Sequence, residues 1–272
     1  MKKKVLLTGS TGMLGGVMAS KWRDRYDLSC LGGRNEFDFL HCDYDLLKKR
    51  FDPEVVVHTS AITNMDYCES HPSETMIVNG ESVKELVSVF PNAKIIFISS
   101  DAVLPPNTKL ATEKIKTNPQ SIYGKAKELG EKYVMECKHA TAIRTTIVGK
   151  NITKTGHSLC EWIVESLRRM ETITLFDDVW FSPIDVWNFA EAVEWVMKND
   201  TPRILHIGGG ERVTKYQFGV GIATALNLPT KLIKKGKLMK EMSLDSSMYT
   251  KLSGAKLPDL TEVVRMIAKY YK

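Results

Sequence analysis

The sequence predicts an α/β fold: a doubly wound parallel sheet of Rossmann type with a smaller, intertwined α/β lobe. Two observations carry this. Short apolar, β-branched runs alternate with stretches of helical spacing, which implies right-handed crossovers and a sheet covered on both faces. The first run, KVLLTG, passes directly into glycines spaced three apart, Gly9, Gly12 and Gly15, as the chain enters its first helical pattern.

The elements follow in order. Strand-like runs occupy 4–9, 28–33, 55–61, 94–100, 141–149 and 203–209, and helical patterns lie between them at 13–26, 82–90 and 123–138. After about residue 150 the rhythm changes. A long amphipathic pattern (159–170), a short strand (173–176) and a helix (186–197) precede a glycine turn, a Thr cap at Thr214 and another helix. The organisation expected is a dinucleotide-binding part, 1–150 with 178–207 returning to it, and a substrate-binding lobe from 151–177 and 208–272.

At 272 residues the chain can bury a sizeable core, and 43% apolar with 26% charged residues is ordinary globular composition. The formal charge of +6 is scattered, with local runs only at Lys2 to Lys4 and Lys231 to Lys240. That distribution describes solvated faces and argues against nucleic acid. Five dispersed cysteines without a C-x-x-C pair favour a reducing compartment. With no apolar stretch near the ~20 residues of a membrane span, the expectation is a cytoplasmic protein without membrane contact. No His, Asp or Glu cluster has metal-ligand spacing, so no catalytic metal is expected.

In the glycine stretch, Gly9 suits the tight turn, Gly12 the approach of backbone N–H groups to a pyrophosphate, and Gly15 close packing of helix on strand. The loop Ser10, Thr11, Met13 and Leu14 would share in that contact at the helix N-terminus. The second strand ends in Gly32-Gly33-Arg34 where an acidic residue would favour NAD; a guanidinium at Arg34 instead suits a 2′-phosphate, so NADP(H) is preferred and NAD(H) left open. Asp38 and Phe39 suit the adenine rim, with Asp38 accepting from the base amino group.

Tyr123 and Lys127, four apart in a helical pattern, share one helix face about 5–6 Å apart at Cβ. A phenol with an ordinary pKa of about 10 exchanges protons poorly at neutral pH unless a cation stabilises its phenolate, and Lys127 would supply one. Ser99, Ser100 and Asp101 end the fourth strand at the carboxyl edge, where a hydroxyl can meet a substrate carbonyl. Among the tryptophans, Trp187 and Trp195 have the spacing of core residues, whereas Trp180 precedes a Ser-Pro loop and is the better candidate for contact with substrate. His58 and His206, within strand runs, read as buried, hydrogen-bonded imidazoles. Arg212 reads either as an exposed arginine or as a partner for a diphosphate.

The glycine loop, the strand-end serines and the Tyr-x-x-x-Lys pair together resemble the extended short-chain dehydrogenase/reductase superfamily. Within it the chain is most similar to the dTDP-4-dehydrorhamnose reductases and their sugar-nucleotide-binding relatives. That resemblance rests on TGSTGMLG (8–15), HTSAITNMDYCESHP (58–72), Asn79, FISSDAV (97–103), YGKAK (123–127), RTTIVG (144–149), LFDDVWFSPIDVWNFAEAV (175–193) and HIGGGERVTKYQF (206–218). It implies NADPH-dependent reduction of the C4 ketone of a nucleotide-linked deoxysugar. Tyr123 would donate the proton, Lys127 would hold ribose hydroxyls, and Ser100 would orient the carbonyl. It further implies that Ser60, Ala61, Ile62, Asn79 and Ser99 line the cofactor, that Thr63, Asn64, Asp66 and Asp101 approach the substrate, and that a homodimer is compatible with the family. The same fold also hosts epimerases and dehydratases with retained NAD, and non-catalytic regulatory subunits of methionine adenosyltransferase. Three departures bear on the substrate: Ala102 replaces a usual aromatic residue, Leu104-Pro105-Pro106 replaces an aromatic-acidic loop, and Ile147 stands where a Trp is common.

Overall fold

The computed structural model describes residues 1–33, 37–153 and 158–271. Its strands are β1 (Lys4–Thr8), β2 (Asp27–Leu31), β3 (Val55–His58), β4 (Lys94–Ile98), β5 (Ala140–Arg144), β6 (Ile147–Val148), β7 (Ile173–Phe176), β8 (Val179–Phe181), β9 (Ile184–Asp185), β10 (Ile204–His206), β11 (Val213–Thr214), β12 (Ile233–Gly236) and β13 (Lys240–Met242). The helices are α1 (Met13–Trp22), α2 (Tyr44–Arg50), α3 (Met65–Ser70), α4 (Pro72–Met76), α5 (Ser82–Val89), α6 (Ile122–Glu136), α7 (Leu159–Arg168), α8 (Val186–Lys198), α9 (Lys215–Ala225), α10 (Ser247–Ser253) and α11 (Leu260–Ala268).

The six runs read as strands form one parallel sheet in the order β2-β1-β3-β4-β5-β10. Alternation along each strand divides the apolar residues between two cores. Val5, Leu7, Val55, Val57 and Ile96 pack with α1 and α8 on one face, while Leu6, Val56, Ile95 and Phe97 pack with α5 and α6 on the other. Strand order reverses between β1 and β3, the crevice where open α/β sheets take ligands. The glycine loop leaves β1 there, beside the chain leaving β3.

Several runs outlast their strands. The run 141–149 divides: the chain leaves the sheet after Arg144, and β6 pairs instead with β9. The strands β3 and β4 end at His58 and Ile98, so Thr59 to Ile62 and Ser99 to Ser100 cross the carboxyl edge outside regular strand, Ser99 N keeping one bond to Ile143 O. The remaining small strands form a three-stranded sheet, β11-β8-β13, and the pair β12-β7. Trp187 and Trp195 are packed as their spacing predicts, Trp187 stacked on Tyr270 at 3.9 Å and Trp195 edge-on to Tyr249. No helix among the described residues is long and apolar enough to cross a membrane.

Candidate functional site

The glycine loop is built around backbone. Gly9 has φ +70°, a conformation side chains resist, and a Cβ at Gly15 would lie 2.2 Å from the Gly9 carbonyl. Gly12 is the N-cap of α1 and supplies no side-chain acceptor, so no side-chain cap bonds the first-turn N–H groups. These groups and the helix dipole fit a dinucleotide pyrophosphate. Ser10, Thr11 and Met13 are half-buried at the crevice, whereas the Leu14 side chain is in the core, leaving only its backbone for a ligand.

Beside the loop, Ser60 and Ala61 are half-buried and Ile62 is buried. Asn79 holds this strand end from beneath. It lies in a π-helical turn (Ile77–Glu81), and its amide accepts from Ile62 N at 2.7 Å and donates to Ile62 O at 2.8 Å. Asn79 is fully buried and both ends of its amide are taken by the Ile62 backbone, so the reading of it as a direct cofactor contact is corrected.

Two other cofactor readings are corrected. Phe39 is 5% exposed and packs edge-on against His58, so it is core and not rim. Asp38 caps the short 3₁₀ turn (Phe39–His41), accepting from Leu40 N and pairing with His41. Arg34, the basis for preferring NADP, lies outside the described residues.

The catalytic candidates converge at the carboxyl edge of β4. Ser100 caps the 3₁₀ turn Asp101–Val103 through Ala102 N and donates to Asp101 Oδ1 at 2.8 Å. Asp101 Oδ2 accepts from Thr146 at 2.8 Å. Ser121 caps α6 one residue before its start, which brings Tyr123 and Lys127 into the buried face of the helix. Lys127 Nζ donates to Ile98 O at 2.9 Å, 5.9 Å from the Tyr123 ring centre. Burial, then the Asp101 carboxylate, push the Tyr123 phenol above its ordinary range. The expected lowering by Lys127 is therefore not met. Burial instead pulls the Lys127 amine down to about 7, against the opposing pull of Glu131.

Ser99 is a fourth correction. Successive residues of an extended chain point to opposite sides; Ser99 Oγ turns away from Ser100 and donates to Glu131 at 2.6 Å. Glu131 also accepts from Arg144 Nε at 2.9 Å and forms a buried ion pair with it at 2.7 Å. His206 lies against Arg144 and donates from Nδ1 to Ala111 O at 2.9 Å. His58 is likewise satisfied, between Thr8 at 2.8 Å and Ser82 at 3.0 Å. Because Ser82 donates to Val78 O, His58 carries its proton on Nε2 and accepts from Thr8.

On the substrate side, Thr63, Asn64 and Asp66 are exposed at the start of α3, with Asn64 capping that helix through Tyr67 N at 2.9 Å. Trp180 is half-buried on β8, but the Arg212 guanidinium covers one of its faces at 3.6 Å. Arg212 also ion-pairs with Glu241, so it is neither a bare surface arginine nor free for a diphosphate. Sequence reasoning passed over Glu131, Arg144 and Lys215. Lys215 had a readable signal: a cation at the first position of α9, at the positive end of the helix dipole. Among the described residues no group of three His, Cys, Asp or Glu side chains is arranged to hold a metal.

A parallel sheet of this order, with a glycine-walled helix N-terminus and a Ser–Tyr–Lys set at its carboxyl edge, defines the extended short-chain dehydrogenase/reductase class. The chain belongs within it to the RmlD substrate binding domain family, whose description matches residues 2–260. A methionine adenosyltransferase 2 subunit beta from Danio rerio is 28% identical over 243 residues, 84% of this chain and 75% of that protein. The spore coat polysaccharide biosynthesis protein SpsK of Bacillus subtilis is 28% identical over 240 residues, 85% of this chain and 82% of that protein. A dTDP-4-dehydrorhamnose reductase from Bacillus anthracis, solved with NADP, superposes with a TM-score of 0.88 over 99% of both chains at 19% identity.

Proposed function

We propose that the chain is an NADPH-dependent reductase of the C4 ketone of a nucleotide-diphospho-4-keto-6-deoxysugar. The observation that carries this reading is the arrangement at the sheet edge beside the glycine loop: Ser100 just past the end of β4, and Tyr123 and Lys127 one turn apart on the buried face of α6, with Lys127 bonded to Ile98 O. Gly9, Gly12 and Gly15 leave room for a pyrophosphate that the N–H groups of α1 would hold, and Lys127 would take the ribose hydroxyls. When bound, the nicotinamide supplies the hydride. Ser100 orients the ketone oxygen, and Tyr123 delivers its phenolic proton to that oxygen. A phenol held protonated by burial starts in the state a proton donor needs. The NADP bound in the Bacillus anthracis reductase supports NADP(H) over NAD(H). The division into 1–150 with 178–207 and 151–177 with 208–272 belongs to the same reading, supported by β10 pairing with β5 in the main sheet.

A second reading is a subunit that binds NADP without turnover. It is favoured by the similarity to the methionine adenosyltransferase subunit and by Ala102 and Ile147, which remove aromatic surface at the site. NADPH consumption against a panel of dTDP-, GDP- and UDP-4-keto-6-deoxysugars decides between them. Turnover abolished by Tyr123→Phe upholds the reductase; tight NADPH binding with no turnover across the panel upholds the subunit.

A further inference from the structure

Ser100 and Tyr123, the two groups that the reading above sets against the ketone, are joined by a single connection, residues 104–121. It leaves the 3₁₀ turn that Ser100 caps and ends at Ser121, the cap of α6. A connection of this length built from turns and irregular chain is uncommon unless it serves a site. Its two ends are fastened to each other, Asn118 N donating to Val103 O at 3.0 Å. Its middle is fastened elsewhere.

The segment that follows β13 holds it there. Leu110 N donates to Ser243 Oγ at 2.8 Å, Ala111 N donates to Ser243 O at 2.9 Å, and Asp245 N donates back to Ala111 O at 2.9 Å. These bonds set Ala111 beside Leu244 as a parallel bridge. Val103, Leu104, Ala111 and Leu244 then form a small core of their own, with Ile115 packed against it. Leu104, one of the departures from the family pattern, is thus part of this fastening. Leu110 has φ +46°, a left-handed conformation that a residue with a Cβ resists. Its side chain is exposed, so packing does little to hold it there. What opposes the strain is the bond from its N–H to the hydroxyl of the fully buried Ser243.

Both sides of this fastening are anchored. Ser243 N donates to Glu241 Oε1 at 3.0 Å, and Glu241 pairs with Arg212, whose guanidinium covers Trp180. On the other side Ala111 O also accepts from His206 Nδ1 at 2.9 Å, while His206 N donates to Glu113 Oε1 at 2.9 Å. We propose that Ser243 is a positioning residue: by holding Leu110 in its strained conformation it fixes the connection between Ser100 and Tyr123, and with it the spacing of the two groups at the ketone. This rests on the reductase reading. Ser243 acts only through that connection.

Steady-state kinetics and amide hydrogen exchange on the NADPH-loaded full-length chain test it. Ser243→Ala is expected to lower kcat about tenfold, with KM for the sugar within about twofold and NADPH affinity unchanged. It is also expected to speed exchange at Leu104, Asn118 and Lys125, whose amides close the Ser100 turn, the ends of the connection and the first turn of α6. Leu110→Gly takes a positive φ without strain, so adding it to Ser243→Ala is expected to recover kcat by about threefold or more. Leu110→Val, at an exposed position where folding is not at stake, strains the same conformation further and is expected to lower kcat as Ser243→Ala does. A bond that served stability alone would lower the melting temperature and leave kcat in place. The proposal is overturned if Ser243→Ala and Leu110→Val both keep kcat within about twofold of the parent, if faster exchange stays confined to Leu110 and Ala111, or if Leu110→Gly recovers nothing. If the parent reduces none of the 4-keto-6-deoxysugars, the reductase reading fails by itself, and exchange at Leu104, Asn118 and Lys125 still decides whether Ser243 holds the connection.

Discussion

Burial holds Tyr123 in its protonated form and makes it a weaker acid than a free phenol, and Glu131 favours the charged form of Lys127 against the pull of burial. Tyr123→Phe removes only the hydroxyl, so kcat is expected to fall by about 10²–10⁴-fold with NADPH affinity unchanged; steady-state kinetics with cofactor titration checks both. Lys127 is protonated below about 7 and neutral above it, so a step that needs its charge slows as pH rises through that value. The Glu131 carboxylate favours the charged form, hence Glu131→Gln moves this alkaline limb to lower pH. A kcat/KM profile from pH 5.5 to 9 would show the shift, and an unmoved limb would remove Glu131 from the account. The Tyr123 and Lys127 pairing was legible because four residues of helix fix a shared face. The direction of Ser99 was not: along extended chain one of two neighbouring hydroxyls must turn from the site, and sequence does not say which. Phe39 was hidden for a related reason, since a three-residue 3₁₀ turn carries no periodicity to aim its ring.

At the scale of elements, two close approaches aim the site. A Cβ at Gly124 would lie 2.4 Å from the Ala102 carbonyl, so this glycine lets α6 bring Tyr123 against the turn that follows Ser100. Gly124→Ala is expected to destabilise by about 1–3 kcal/mol through overpacking and to lower turnover by displacing Tyr123. Denaturant unfolding and kinetics on the same sample separate the two effects. Asn79→Ala leaves two backbone groups of Ile62 without their partner, at about 1–3 kcal/mol, and is expected to weaken NADPH binding although Asn79 is buried away from it; unchanged affinity would contradict the positioning role. The six main strands were legible as apolar, β-branched runs. Their ends were not, because the β-rich runs continue past the sheet edge: Thr59 to Ile62 stay partly apolar after the ladder stops, and the small serines Ser99 and Ser100 carry no signal that ends a strand. The π-helical turn bearing Asn79 and the two-residue strands β6, β9 and β11 exist through tertiary pairing and leave no local pattern to read.

Across the whole molecule one core joins distant parts of the chain. Val5 and Leu7 of β1 share a cluster with Ile163 of α7, Phe218 of α9 and Ile267 of α11. Unfolding is therefore expected as one calorimetric transition, raised by NADPH through linkage; two separated transitions would show that the smaller sheets fold on their own. The buried Glu131–Arg144 pair ties α6 to β5, and Arg144→Met is expected to lose about 3–5 kcal/mol by stranding the carboxylate. The central claim is hydride delivery to a sugar ketone at the Ser100–Tyr123 edge, and transfer of deuterium from NADPH labelled at nicotinamide C4 tests it most directly. The account predicts deuterium at C4 of the sugar product, detected by mass spectrometry and lost in Tyr123→Phe. Labelled cofactor that binds tightly yet leaves every 4-keto-6-deoxysugar of the panel unlabelled would contradict it.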